Sequence, residues 1–488
     1  MASVRRVLDT DPVLHLQQYL ASGGGAGLRR ARDLGADATI AEVVAAGVRG
    51  RGGAGFPTGV KWQTVAANVS PLEPTTVVVN AAEGEPGSFK DRALIARNPY
   101  RVLEGALIAA YAVGADEVIV GMKRTFEAHI ARMNDAIDEV LNADLAPGIS
   151  IAIFEGPPEY LLGEETGLLE SIDGRMPFPR IAPPYRRGAD EIVEHRSDVD
   201  DESASAAHVE MAGPSDEALA PPTLVDNVET LAHVALVLEH GADWFRELGT
   251  DQSPGTFVCT VSGDVRHAGV GEFPMGTPLR EVIETLGGGS REERTIKAVL
   301  QGVSAPVLTA DDLDTPLSWE GMVAAGSGLG AAAFIVFDDL ADMAAVAAGV
   351  ARFLAVESCG QCTPCKLDGI TIADALDTIR RSEGTAHEAE IVAERLVTVA
   401  DSARCSLATQ HQVLVQSIVD RFASEFDAHL HGGATSRFEI APLVDLVDGN
   451  AVTDPNQATK QPDWSHDEIW SGKSPADALD DHRAHQHL

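Results

Sequence analysis

The chain has 488 residues, 44% of them hydrophobic, with a formal net charge of -37 and a sequence pI near 4.6. Such a length buries a large core, roughly two to four domains' worth, and so acidic a surface excludes a nucleic-acid binder and disfavours anionic lipid headgroups. No uninterrupted run of about 18 apolar residues occurs, and the opening Met1-Ala2-Ser3-Val4-Arg5-Arg6 lacks an apolar secretion core; with reduced cysteines, this gives a cytoplasmic protein without direct membrane insertion, peripheral to a membrane only through a complex.

Residues 11–48 read as helical, broken at Gly23-Gly24-Gly25 and periodic over Ile40 to Val48. A glycine loop follows, Arg49 to Gly59, leading to Lys61 and Trp62. Gly50 to Gly55 matches the letters of the dinucleotide fingerprint, but that fingerprint follows a strand, and the segment before this loop reads as a helix. The loop is therefore no ordinary Rossmann turn. Its glycines still permit close backbone approach, and its amides with Arg49, Arg51 and Lys61 suit phosphate; the competing reading is a tight turn between packed elements.

Thr75 to Asn80 is a β-branched strand, Tyr100 to Val113 a helix, Glu117 to Gly121 a strand and Thr125 to Asn142 a helix. This alternation predicts an α/β fold with a largely parallel sheet. Two glycine-bearing loops, around Glu83 and Glu85 and around Glu164 and Glu165, fall at the ends of these elements, where open sheets bind ligands. Their carboxylates suit ribose hydroxyls or an amide, unless they are simply exposed acidic loops. Residues 186–221 are acidic and poor in pattern, a solvated insertion. Residues 254–338 read as a small β-rich domain with a helix near Leu279 to Leu286, and residues 339–430 as a helical bundle. Beyond Gly433 a polar tail with little periodicity reads as disordered or draped over a partner.

Four of the five cysteines are Cys359, Cys362, Cys365 and Cys405. Three on one tight loop plus a distant fourth suits a 4Fe-4S cluster. A four-cysteine zinc site also opens with Cys-x2-Cys but commonly pairs two such knuckles, and it remains the alternative. Cys259, in an apolar run, reads as a buried strand thiol.

Taken together and in order, RGRGGAGFPTG (49–59), NAAEGEPGSFKDR (80–92), GEETGLLES (163–171), DNVETLA (226–232) and ESCGQCTPC (357–365) resemble the NADH-binding flavoprotein subunit of respiratory complex I. That family is shared with flavoprotein subunits of NAD-linked formate dehydrogenases and NAD-reducing hydrogenases. The resemblance spans roughly residues 23–425 and implies an FMN/NADH-binding α/β domain at 49–250, after a helical segment at 1–48. An SLBB, ubiquitin-like β-grasp domain at 251–338 follows, then a helical bundle at 339–432 carrying a 4Fe-4S cluster and an acidic tail at 433–488. It implies hydride transfer from NADH to FMN and release of single electrons to the cluster, or the reverse towards NAD+. The flavin performs the conversion while protein groups orient and polarise it.

By motif, Gly50, Arg51, Gly53 and Lys61 are expected to cradle the FMN phosphate. Asn80, Glu83, Tyr160, Glu164, Asp226, Asn227 and Thr230 are expected to line the flavin. Phe56 is expected to stack beside NADH, with Glu85 and Glu165 near its nicotinamide and ribose as the catalytic pair. The four cysteines are expected to ligate the cluster, with Thr363 and Pro364 covering it towards the flavin. The implied partners are a thioredoxin-like 2Fe-2S subunit and a larger iron-sulfur subunit. The sequence departs from the family pattern at Ala82, Asp226, Thr64 and Ala182, changes that bear on flavin and adenine binding. They motivate the alternative of a cluster-carrying electron-transfer or assembly paralogue with lost or altered NADH binding.

Overall fold

The β-branched run Thr75 to Val79 forms the strand β1 (Thr75–Ala81), inner in a four-stranded parallel sheet. Its neighbours are β2 (Ala115–Lys123), β3 (Ser150–Gly156) and β4 (Thr223–Asn227), in the order β3-β2-β1-β4. Both faces of β1 are buried, which is why it reads as a continuous apolar run and not as an alternation. This is a computed structural model describing residues 3–69, 74–180, 222–291, 294–432, 438–462 and 464, so Ala182 and the acidic insertion lie outside the described residues.

The helices Pro99–Val113 and Val228–His240 cover one face of this sheet. Asn98 caps the first by accepting the Arg101 amide, and Pro99 supplies the preset φ of the first turn. The two helices meet at Gly105, where a Cβ would fall 2.0 Å from the Leu231 carbonyl oxygen, so only glycine permits that approach. A smaller apolar cluster, including Val78, Leu162, Leu168 and Val225, closes the other face.

The β-rich unit is a five-stranded mixed sheet in the order β6-β5-β9-β7-β8, formed by β5 (Thr256–Gly263), β6 (Gly269–Pro274), β7 (Ile296–Gln301), β8 (Leu308–Thr309) and β9 (Ala333–Asp338). The expected helix is present as Leu279–Gly287, and Cys259 is fully buried in β5 as expected. The bundle contains Met343–Val356, Thr363–Arg380, Ala386–Thr398, Ser406–Arg421 and Ala423–Leu430, with the cysteine loop between the first two.

Both ends of the described chain differ from the sequence reading. The tail is folded between residues 438 and 462 instead of patternless. Its hairpin, β10 (Leu443–Val447) with β11 (Asn450–Thr453), receives a hydrogen bond from Arg92 at the Val444 carbonyl, and the Gly449 carbonyl accepts from the Ala268 amide. Further on, Lys460 pairs with Glu357 at 2.6 Å, and Trp464 Nε1 donates to the Ser358 carbonyl at 3.0 Å. At the other end, the Glu272 carboxylate accepts the amides of Arg6, Val7 and Leu8 at 2.8, 2.9 and 3.0 Å. The sequence reading also missed β3 and the helices Thr58–Ala67 and Lys90–Arg97.

Candidate functional site

A cleft of about 700 Å³ opens at the carboxyl edge of the parallel sheet, between the glycine loop, the loops after β1 and β3, the β-rich unit and the start of the helix Ser406–Arg421. The glycine loop follows the helix Ala36–Ala46, as expected, and folds back on itself through the Gly50 amide donating to Phe56 O at 2.8 Å. At Gly52 the backbone needs no left-handed conformation, and a Cβ would meet only Asn227 Cβ at 3.5 Å. Neither conformation nor packing demands glycine there. What a side chain would occupy is the cleft itself, as a cradle for a closely held group requires.

Every cleft residue expected from the motifs lines this space except Arg51. The Arg51 side chain is 3% exposed and turned away, donating to Thr256 O at 2.9 Å and standing 3.9 Å from Glu229. Backbone carbonyls of the β-rich unit accept from Nη2, while Nε has no hydrogen-bond partner among the described residues and faces the Glu229 carboxylate by charge alone. Arg51 thus fixes the loop from beneath, while its amide donates to Thr230 Oγ1 at 2.8 Å.

The carboxylates are held in distinct states. Glu83 is buried, but Arg92 at 2.9 Å and then Lys90 outweigh the cost of burial and hold its pKa below the ordinary value. Glu85 accepts from Val303 N at 2.6 Å and the Tyr160 hydroxyl at 2.8 Å, yet burial prevails and lifts it to about 7. Burial likewise lifts Asp226 to about 6, against the pull of Lys61 and the Trp62 indole N–H at 2.7 Å. Lys61 donates to Glu165 Oε1 and Val225 O, both at 2.9 Å. Glu164 caps the helix Glu165–Ile172, accepting from the Gly167 amide at 2.7 Å; Asn80 Nδ2 ties Gly163 O at 2.9 Å.

Several functional positions escaped sequence reasoning. Lys90 bridges Asp91 at 2.7 Å, Glu229 at 3.0 Å and Asn227 Oδ1 at 3.1 Å in the cleft floor. Glu229 is pushed up by burial but drawn down to about 2, chiefly by Lys90. Both lie inside the quoted motifs, so the signal was present but unassigned. Trp319, Val323 and the 328–331 segment of the β-rich unit carried no such signal, and Thr64 does not line the cleft, its hydroxyl donating to Val60 O at 2.9 Å.

Three of the four cysteines stand at helix starts, and Cys359 lies in the loop before them. Cys362 and Cys405 occupy the cap positions of Thr363–Arg380 and Ser406–Arg421, and Cys365 lies in the first turn of the former. Burial, then the charge of Cys405, pushes the Cys359 thiol well up, and Cys365 and Cys405 rise to about 12, chiefly by burial. The four sulfurs lie near enough to couple electrostatically, and although they form no ready metal-holding group as they stand among the described residues, they are the donor set that a 4Fe-4S core takes, and the helix termini favour the net negative charge of the core with its four thiolates. Cys405, Ser406 and Leu407 also line the cleft, so cleft and cysteine centre share a wall. Thr363 is exposed and neither it nor Pro364 lines the cleft, whereas the start of the later helix does.

Three family models match this chain. The Nuo51 FMN-binding domain matches residues 43–236, the SLBB domain residues 258–307, and the NADH-ubiquinone oxidoreductase-F iron-sulfur binding region residues 345–429. The chain is 36% identical to the second NADH-quinone oxidoreductase F subunit of Rhizobium meliloti, over 85% of this chain and 94% of that one. It is 33% identical to the corresponding F subunit of Streptomyces coelicolor, over 87% and 90%. To the HndC subunit of the NADP-reducing hydrogenase of Solidesulfovibrio fructosivorans it is 32% identical, over 85% and 80%. The solved NAD+-reducing [NiFe]-hydrogenase in the H2-reduced state superposes with a TM-score of 0.72 at 32% identity, covering 86% of this chain and 67% of that one.

Proposed function

The chain belongs to the family of NADH-quinone oxidoreductase F subunits, and from that premise we propose that it is an NADH dehydrogenase flavoprotein subunit moving electrons between NADH, FMN, a 4Fe-4S cluster and a partner protein, in either direction. FMN, when bound, supplies the conversion between paired and single electrons. The observation that carries the reading is Cys405, which belongs to the cysteine set and to the cleft wall at once.

In this reading the amides of Gly50 and Gly53, with Lys61, hold the flavin phosphate. Asn80, Glu83, Tyr160, Glu164, Asp226, Asn227 and Thr230 line the flavin, and Phe56 stacks beside NADH. Arg51 acts through the loop it anchors. Glu85, its carboxyl poised to titrate near neutral pH, faces the nicotinamide, and Glu165, paired with Lys61, faces the ribose. Cys359, Cys362, Cys365 and Cys405 ligate the cluster.

The relatives are subunits of larger complexes, and a cluster that accepts electrons needs an outlet. We assign that outlet to a thioredoxin-like 2Fe-2S subunit and a larger iron-sulfur subunit in the cytoplasm. Among the described residues no helix is long and apolar enough to cross a membrane.

The test is anaerobic loading of the full chain with FMN, iron and sulfide. NADH should bleach the flavin and drive ferricyanide reduction, and Cys405→Ser should lose the iron. A loaded protein whose flavin stays oxidised in excess NADH overturns the assignment.

A further inference from the structure

Strand β2 ends at the carboxyl edge of the parallel sheet with Lys123, a lysine only 5% exposed. Its side chain runs in behind the 83–85 loop. A Cβ on Gly84 would fall 2.6 Å from Lys123 Nζ and 3.4 Å from Cε, and it would meet Tyr160 Cδ2 at 3.5 Å. Gly84 and Tyr160 both line the cleft and Lys123 does not, so the ammonium stands directly behind the cleft wall.

Neighbouring cations are answered by carboxylates: Lys61 by Glu165, Lys90 by Asp91 and Glu229, Arg92 by Glu83. The Lys123 ammonium makes no hydrogen bond and no ion pair among the described residues. Burial lowers its pKa from the ordinary 10.5 to about 8; Glu357 and Glu159 oppose that from beyond pairing distance, while Arg92 and Lys460 add to it. Glu357 is itself engaged, by Lys460 at 2.6 Å and by the Tyr160 amide at 3.0 Å. Lys123 therefore stays charged at pH 7 without a partner. A buried cation of that kind destabilises the fold, and it is kept where function uses the charge.

We propose that Lys123 is the cation that answers the negative charge the flavin gains on reduction, and so sets the potential at which the cleft exchanges electrons. This rests on the NADH-oxidising reading above. Hydride transfer breaks the nicotinamide C4–H bond and delivers two electrons with one proton, so the oxidised ring gains one negative charge. A fixed positive charge behind the wall stabilises that state more than the uncharged oxidised ring, in a place where water screens it poorly. Lys123 touches no reacting atom; it acts through its field across Gly84.

The test is spectroelectrochemical titration of the full chain loaded with FMN and cluster. Lys123→Met should weaken the hold on reduced FMN relative to oxidised FMN about tenfold, the effect of one unit charge across a loop's thickness at an effective dielectric of about 20. That ratio is a fall of about 30 mV in the two-electron midpoint potential of the bound flavin. The gap between the two proteins should narrow as pH rises from about 8, where the lysine begins to lose its proton. The melting temperature of Lys123→Met should not fall, because the variant removes a buried charge that has no partner. A flavin potential equal to that of the wild type at every pH overturns the assignment. So does a melting temperature several degrees lower, since the ammonium would then belong to the fold's own support. Wild-type protein that takes up no FMN overturns the functional reading instead.

Discussion

Glu85 stands where two of the three units meet, accepting one hydrogen bond from Tyr160 and one from the Val303 amide of the β-rich sheet's edge. Burial lifts its pKa from the ordinary 4.5 to about 7. A raised carboxyl is protonated in both folded and unfolded chains below pH 4.5, and above that only the unfolded chain ionises until the folded value is passed. Stability is therefore fully present below about 4.5 and declines as pH rises to about 7. Glu85→Gln should flatten part of that decline, by on the order of 2 kcal/mol allowing for water in the cleft. Melting curves of the flavin-loaded protein across this window check it, and parallel curves for the two proteins count against it. Glu85 was legible in the sequence because its loop follows a strand. Arg51 was misread because a cation in a glycine loop suggests phosphate, whereas the acceptors it finds are carbonyls far along the chain, Pro254 O among them, 203 positions on. Trp319 was invisible for the same reason: nothing local ties it to the glycine loop, where a Cβ at Gly55 would come within 2.8 Å of its ring.

At the level of elements, glycines divide by what surrounds them. Gly105 admits no side chain, since the carbonyl oxygen and carbon of Leu231 would lie 2.0 and 2.5 Å from its Cβ and neither can yield. Gly105→Ala should cost about 3 kcal/mol by forcing the two covering helices apart. Gly52→Ala should leave the melting temperature nearly unchanged while weakening FMN at least about tenfold, a loss of about 1.4 kcal/mol, as flavin-fluorescence titration would read. Equal thermal effects at the two positions would sink this division. Strand β1 and the helices Pro99–Val113 and Glu127–Asn142 were legible because buried apolar patterns declare themselves. Lys90–Arg97 was not, because its first residues Lys90, Asp91 and Arg92 are charged and give no apolar pattern, yet are 2 to 4% exposed and paired internally. Strand β3 is an edge strand with only Gly156 fully buried, so its pattern is faint.

Across the whole molecule, the order of the three units was readable from their motifs, but the way they touch was not, since contacts between units leave no periodicity. The tail is the clearest case. It runs from the bundle over the helix Lys90–Arg97 and the β-rich unit and returns to the cysteine loop through Arg352, Lys460 and Trp464. The double variant Lys460→Ala with Trp464→Ala removes one hydrogen bond, one part-buried ion pair and the cation–π contact of Lys366 with the Trp464 ring, about 1–2 kcal/mol together. Local opening of the loop should increase roughly five- to thirtyfold, seen as faster bleaching of the cluster's visible absorbance in air. Bleaching at the wild-type rate would remove the tail from any protective role.

The grip of Glu272 on residues 6 to 8 has a bearing on how the protein is made. Arg6 and Glu272 are 266 positions apart, so at ordinary ribosomal speeds roughly a quarter of a minute to a minute separates the synthesis of the one from that of the other. For that interval residues 6 to 8 lack the carboxylate that gathers their amides, and the grip of Arg101 on the Val7 carbonyl and on Asp9 tethers the segment until it arrives.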